Sequence, residues 1–227
     1  DGKKLVDILA EKSQLPLVFA ADLWVGQLSK MRNLWDEVGV SWRLNFQPKF
    51  DAAYAQAESA TYIPLLKSLA LTSKEDLFKP LQVAPGEAPV LLLSLSVIWD
   101  VIDVVQKTLT KEDQKLTARD LLRPSGKGAD TYLVTAIKAG RFGKVVDLLV
   151  GNGEGFESEM LLAKGENGKT LVDVLTSTGQ LQFLFTADLW VGRIHDMAKI
   201  WKSLTTDQRK KIGEGEFARA MAEARLK

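Results

Sequence analysis

The sequence predicts an all-α protein built as an array of stacked helical units. Three observations carry that expectation. The stretch from Asp1 to Trp35 (DGKKLVDILAEKSQLPLVFAADLWVGQLSKMRNLW) lines up without a gap on Asn167 to Trp201 (NGKTLVDVLTSTGQLQFLFTADLWVGRIHDMAKIW), with roughly half of the positions identical. Apolar residues recur at spacings of three and four, the mark of one buried helix face. Stretches that alternate apolar with polar residues over a strand length are few.

Taken in order, each module opens on an Asx-Gly turn, Asp1-Gly2 or Asn167-Gly168, that leads into LVDIL or LVDVL. Asp22 and Asp188 stand where a short helix starts, and Gly26 and Gly192 where it ends before the next helical run. With one residue of slack, Phe50, Ala53, Tyr54 and Ala57 fall opposite Phe217, Ala220, Met221 and Ala224, so the modules cover about 1–60 and 167–227. A fainter copy runs from Asp100 to Asp113, where Ile102, Val105 and Leu109 take the places of Met197, Ile200 and Leu204. The apolar run from Ala88 to Trp99 predicts a buried helix, and it is shorter than the roughly 18–20 residues that span a bilayer. All helices are expected to be short. The region 41–86 reads either as a worn repeat or as an inserted element.

The clearest unit is 128–150, GADTYLVTAIKAGRFGKVVDLLV. A loop ends in Asp130-Thr131, one helix carries Leu133, Ala136 and Ile137, a turn falls at Ala139-Gly140-Arg141, and a second helix carries Val145, Val146, Leu148 and Leu149. This resembles an ankyrin repeat in the order and spacing of its Gly-Ala-Asp turn, Thr-x-Leu helix entry, inter-helix Gly and Val/Leu-rich second helix. The offset from Gly2 to Gly168 is close to five of that family's roughly 33-residue periods. The Pro-Leu-His of the family's helix start is absent, and Gly151 to Glu157 stretches the period. The resemblance implies a right-handed solenoid of stacked hairpins over 1–227 as a single domain. It also implies a surface for a folded protein partner and no cofactor.

Composition narrows the function. Thirty Lys and Arg against 29 Asp and Glu leave a net charge of +1. Arg209-Lys210-Lys211 is the densest basic run and reads as solvated helix surface, so no nucleic-acid stripe is present. The absence of cysteine excludes disulfides, thiolate metal sites and cysteine nucleophiles. No transmembrane segment is expected and a monomer is favoured. The chain begins at Asp1, inside a repeat, which leaves open a removed signal peptide or upstream repeats and a cytoplasmic or a periplasmic or secreted site.

Candidates for chemistry are sparse. His195 is the only histidine and stands where the other module has Ser29, so any Ser-His-Asp triad must use it, and no Gly-x-Ser-x-Gly turn supplies a nucleophile. Asp7, Asp22, Asp173 and Asp188 recur in both modules, which suits turn and helix-start stabilisation better than a catalytic pair. The loops Pro124 to Gly128 and Gly151 to Gly155 lack the spacing of phosphate, calcium or dinucleotide loops. Trp24 with Trp190, and Trp35 with Trp201, read as repeated core. The expected function is non-enzymatic protein binding, as an inhibitor, immunity protein or adaptor, with no catalytic, cofactor or metal residues. Contact residues are expected among the unduplicated or loop-tip side chains Trp42, Arg43, Arg141, Phe142, Asn152 and Glu154. The alternatives are a carboxylate-dependent hydrolase in a helical fold and a structural segment of a longer repeat protein.

Overall fold

Helices make up most of the computed structural model, which describes residues 4–69, 71–82, 89–107, 109, 114–126, 129–165 and 168–227; the Asp1-Gly2 turn, Asn167 and Gly128 lie outside them. By internal contacts the chain divides into two compact units, Asp1–Ala70 with Lys79–Leu92, and Leu71–Phe78 with Leu93–Lys227.

In the first unit, α1 (Leu5–Glu11) ends where Ser13 turns left-handed at φ 57° and the Gln14 amide closes on the Leu9 carbonyl at 2.8 Å. The Pro16-containing α2 (Leu15–Val18) and a 3₁₀ turn, Ala21–Trp24, follow, and Gly26 at φ 74° redirects the chain into α3 (Leu28–Asp36). A positive φ suits glycine because no Cβ meets the carbonyl. Then comes α4 (Val40–Ser68), a single helix of 29 residues. This corrects the expectation of short helices throughout, and it makes most of the region 41–86 helical. Pro48 and Pro64 sit inside α4. The carbonyls they leave unbonded belong to Leu44 and Ala60, both exposed, where solvent can serve them. The strands β1 (Pro80–Leu81) and β2 (Val90–Leu91) pair antiparallel, Pro80 opposite Leu91.

The expected helix over 88–99 is not formed among its described residues. Val90 and Leu91 are strand, and Leu92–Ser94 and Ser96–Asp100 are separate 3₁₀ turns broken by extended Leu95. The run is nonetheless buried as expected, with Leu92, Leu93, Val97, Ile98 and Trp99 in the core. A short apolar run fixes burial without fixing period.

The second unit continues with α5 (Ile102–Gln106), α6 (Ala118–Leu121), α7 (Tyr132–Lys138), α8 (Phe142–Gly151), α9 (Ser158–Leu162) and α10 (Leu171–Ser177). Two 3₁₀ turns, Leu181–Phe185 and Ala187–Trp190, lead to α11 (Ile194–Ser203), α12 (Thr206–Ile212) and α13 (Glu214–Leu226). Thr117, Thr131, Thr170 and Thr205 cap α6, α7, α10 and α12 by accepting a bond from a first-turn amide. Asp173 belongs to the Thr170 capping box, as the sequence suggested for this residue class, whereas Asp22 and Asp188 lie in the first turns of their 3₁₀ segments without capping them.

Each duplicated module builds the same aromatic arrangement within its own unit. Trp35 stacks on Phe50 with centroids 4.2 Å apart and planes 7° off parallel, and Phe19 meets both edge-on. Trp201 stacks on Phe217 at 4.2 Å and 4°, and Phe185 meets both edge-on. The indole of Trp24 donates to the Val18 carbonyl at 2.7 Å, and that of Trp190 to Leu184 at 2.6 Å. The residue of slack in the alignment falls between Trp201 and Phe217, where Gly213 at φ 88° splits α12 from α13; the first module runs on unbroken through α4.

Left-handed residues also recur thirteen apart in three places, Ser13 with Gly26, Gly140 with Gly153, and Gly179 with Gly192. In the second unit the last two sets lie on each other: α7 packs against α10, α8 against both 3₁₀ turns, and α9 against α11. Gln180, 5% exposed, joins them by accepting from the Phe142 amide at 2.9 Å and donating to the Ile137 carbonyl at 2.6 Å. Buried Asp196 accepts from the Ser158 hydroxyl at 2.6 Å.

The segment Leu71–Phe78 is held to α6 by Asp120, which binds Lys74 at 3.0 Å and Arg123 at 2.8 Å. Burial pushes the Asp120 pKa up, but bonds from Lys74 and Thr117 outweigh it and leave it lowered. A lowered carboxyl contributes stability that is complete above the ordinary Asp value of about 3.9 and is lost as the pH falls through the folded value. Acid titration of the second unit, followed by hydrogen exchange of α6, is expected to show that loss below about pH 4. Asp120→Asn should flatten this part of the profile; an unchanged profile would show that the carboxylate does not anchor the segment.

Candidate protein-binding groove

The six expected contact residues are divided between the two units. Trp42 and Arg43 lie on the first turn of α4 in the first unit, and Arg141, Phe142, Asn152 and Glu154 flank α8 in the second. Phe142 is a correction. It is fully buried, stacked on Phe156 at 6.0 Å, because it opens the inward face that continues through Val145, Val146 and Leu149. Asn152 is half-buried, its amide exchanging bonds with Gln106 and donating to the Leu116 carbonyl at 2.9 Å. Arg141 pairs with Asp100 at 3.0 Å, and half-buried Glu154 follows left-handed Gly153.

Trp42 and Arg43 stay half-buried. Arg43 lies 3.7 Å from Asp36, and the Trp42 ring tilts against Phe46 one turn on, at 6.3 Å. Phe46 leads into a groove of about 470 Å³ between α2, the Ala21–Trp24 turn and α4. Its floor is Leu15, Phe19 and Phe50, its walls include Pro16, Ala52 and Ala53, and Asp22 and Lys49 bring the charges. On the same turns of α4, Val40 and Leu44 are 66% and 77% exposed. Neither lines the groove, and single exposed apolar side chains are ordinary.

The second module has the same hollow, about 360 Å³, at the equivalent positions. Its chemistry is different. Gln182 replaces Pro16, Thr186 replaces Ala20, and Lys49, Ala52 and Gln56 become Glu216, Arg219 and Glu223. Arg219 binds Glu216 at 2.6 Å and Glu223 at 3.2 Å, and Asp188 pairs with Lys227. Such exposed pairs add little stability. They do satisfy every charge around the hollow, whereas Asp22 and Lys49 form no ion pair with another described residue. No motif marks this groove in the sequence; its signal is the set of positions that diverge inside a module whose core is kept.

Among the described residues Ser158, His195 and Asp196 are not arranged as a triad. His195 is exposed and lies 3.5 Å from Asp196, while buried Ser158 donates to Asp196 and not to the imidazole. A triad needs the imidazole between the hydroxyl and the carboxylate. Among the described residues no cluster of three metal-ligating side chains occurs, and no helix is long and apolar enough to cross a membrane. No family model, curated protein or solved structure matches the chain.

Proposed function

We propose that the chain is a non-enzymatic protein-binding module made of ankyrin-like stacked helical units, acting as an inhibitor, immunity protein or adaptor. Its contact site is the Phe46 groove with Trp42 and Arg43 beside it. The observation that carries this reading is the open apolar groove of the first module, set against the charged version of the same hollow in the second. A rigid groove with an aromatic at its edge offers a seat for one apolar side chain of a folded partner and limits the entropy lost on docking. The carboxylate-dependent hydrolase alternative needs two acids in one cleft, and Asp22 is the only carboxylate among the described residues lining the Phe46 groove.

The test converts one groove into the other. The triple variant Lys49→Glu, Ala52→Arg, Gln56→Glu changes only surface positions, so it should fold as the parent does. Affinity capture from the source lysate is expected to give a stoichiometric partner whose binding falls at least about tenfold in the triple variant and in Trp42→Ala. A partner retained by both would remove the groove from the interface.

A further inference from the structure

The two modules differ in what covers them. Leu171 and Leu189 of the second module are 7% and 2% exposed, and their counterparts Leu5 and Leu23 are 71% and 60% exposed. Trp190 is fully buried, while its counterpart Trp24 is only half-buried. The cover on the second module is the hairpin α7–α8 with α9, which packs on α10, on both 3₁₀ turns and on α11. Phe183 lies against Gly143 of α8 and is 40% exposed, and its counterpart Leu17 is 70% exposed. The polar connector follows the same rule. Gln180 bonds the Phe142 amide and the Ile137 carbonyl of the hairpin, whereas its counterpart Gln14 is exposed and its side chain caps nothing.

We propose that the face formed by Leu5, Gln14, Leu17, Leu23 and Trp24 is a second docking site. Its occupant is a helix–left-handed turn–helix hairpin of a partner protein, seated as α7–α8 is seated on the second module. The chain itself shows the fit, because the equivalent face already holds that element. The partner hairpin must present an apolar helix face with a small residue opposite Leu17, and a free carbonyl and helix-start amide at its turn for the Gln14 side chain. Side chains that expose only a few per cent of their surface in one copy and leave most of it in water in the other mark an unfilled position in a stack. This inference rests on the protein-binding reading and names the kind of partner.

The experiment uses the 227-residue chain with a second copy of Ala129–Gly165 joined to its N-terminus by a flexible Gly/Ser linker. The tether supplies an effective concentration in the millimolar range, so a weak hairpin still docks. The protein carries 5-fluorotryptophan, with Trp24 assigned through Trp24→Phe. The expected result is a shift of the Trp24 fluorine resonance and loss of its solvent-isotope effect, together with slower exchange of the α1 amides. Gln14→Ala should lower the docking equilibrium about five- to tenfold, the usual worth of a bridging side chain, and Leu23→Glu should abolish docking. Leu23 is exposed, so that variant tests the face and not the fold. A Trp24 signal unchanged by the tethered hairpin would overturn the proposal. So would a concentration-dependent dimer of the untethered chain that buries Trp24 and is lost in Leu23→Glu, since a second copy would then be the occupant. If the hairpin fails to dock while the groove variants still lose their partner, only this inference falls.

Discussion

Phe50→Ala is expected to destabilise the first unit by about 3–5 kcal/mol, and Phe217→Ala to destabilise the second unit less. The two rings sit in equivalent stacks, 4.2 Å from Trp35 and Trp201 respectively. Their surroundings set the difference. Phe50 is 1% exposed, with Arg32 also lying 5.7 Å from its centroid, so deletion forfeits the contacts of a fully buried ring and hollows the groove floor it forms. Phe217 is half-buried, and the space it leaves is open to water. With two compact units a single transition is not assured, so each loss should be read from hydrogen exchange of α2 and α4 for the first unit and of α13 for the second. Equal losses would show that the aromatic stack, and not burial around it, sets the cost.

Gly155→Ala is expected to cost the second unit about 1–3 kcal/mol. A Cβ at Gly155 would stand 2.5 Å from the Leu189 carbonyl oxygen, and both sides of that contact are backbone. The strain cannot be relieved by a rotamer change. It must push the stretch before α9 away from the Ala187–Trp190 turn, where Trp190 is fully buried. Gly151→Ala provides the control, because a Cβ there meets nothing within 4 Å. Urea denaturation of the two variants should separate them clearly; similar midpoints would mean that the chain yields at Gly155 without cost.

The helical class and the duplication were legible because they rest on periodicity and on direct comparison within the chain. That comparison placed Phe50 opposite Phe217 and Trp35 opposite Trp201, which are the stacked pairs of the two cores. It also placed the breaks at Gly26 and Gly192, which take left-handed conformations. What escaped it depends on contacts between distant residues. Phe142 looked like a loop tip because Gly140 and Arg141 precede it; only its spacing to Val145, Val146 and Leu149 points inward. The groove escaped for a different reason. Its divergence lies in residues with no motif, and the replacement of Ala52 by Arg219 gains meaning only when the hollow is seen in both modules.

The break at Gly213 has a further consequence in terms of helical phase. Each added residue turns a helix by about 100°, so an insertion carried through an unbroken helix would swing Phe217, Ala220 and Ala224 away from the face their counterparts use. The glycine absorbs that turn, and Phe217 returns to Trp201 at the same separation that Phe50 keeps from Trp35. The joint therefore acts as a phase corrector. A module with such a joint can change length by a residue and still present one core, which explains how two copies of unequal length share a single aromatic lock.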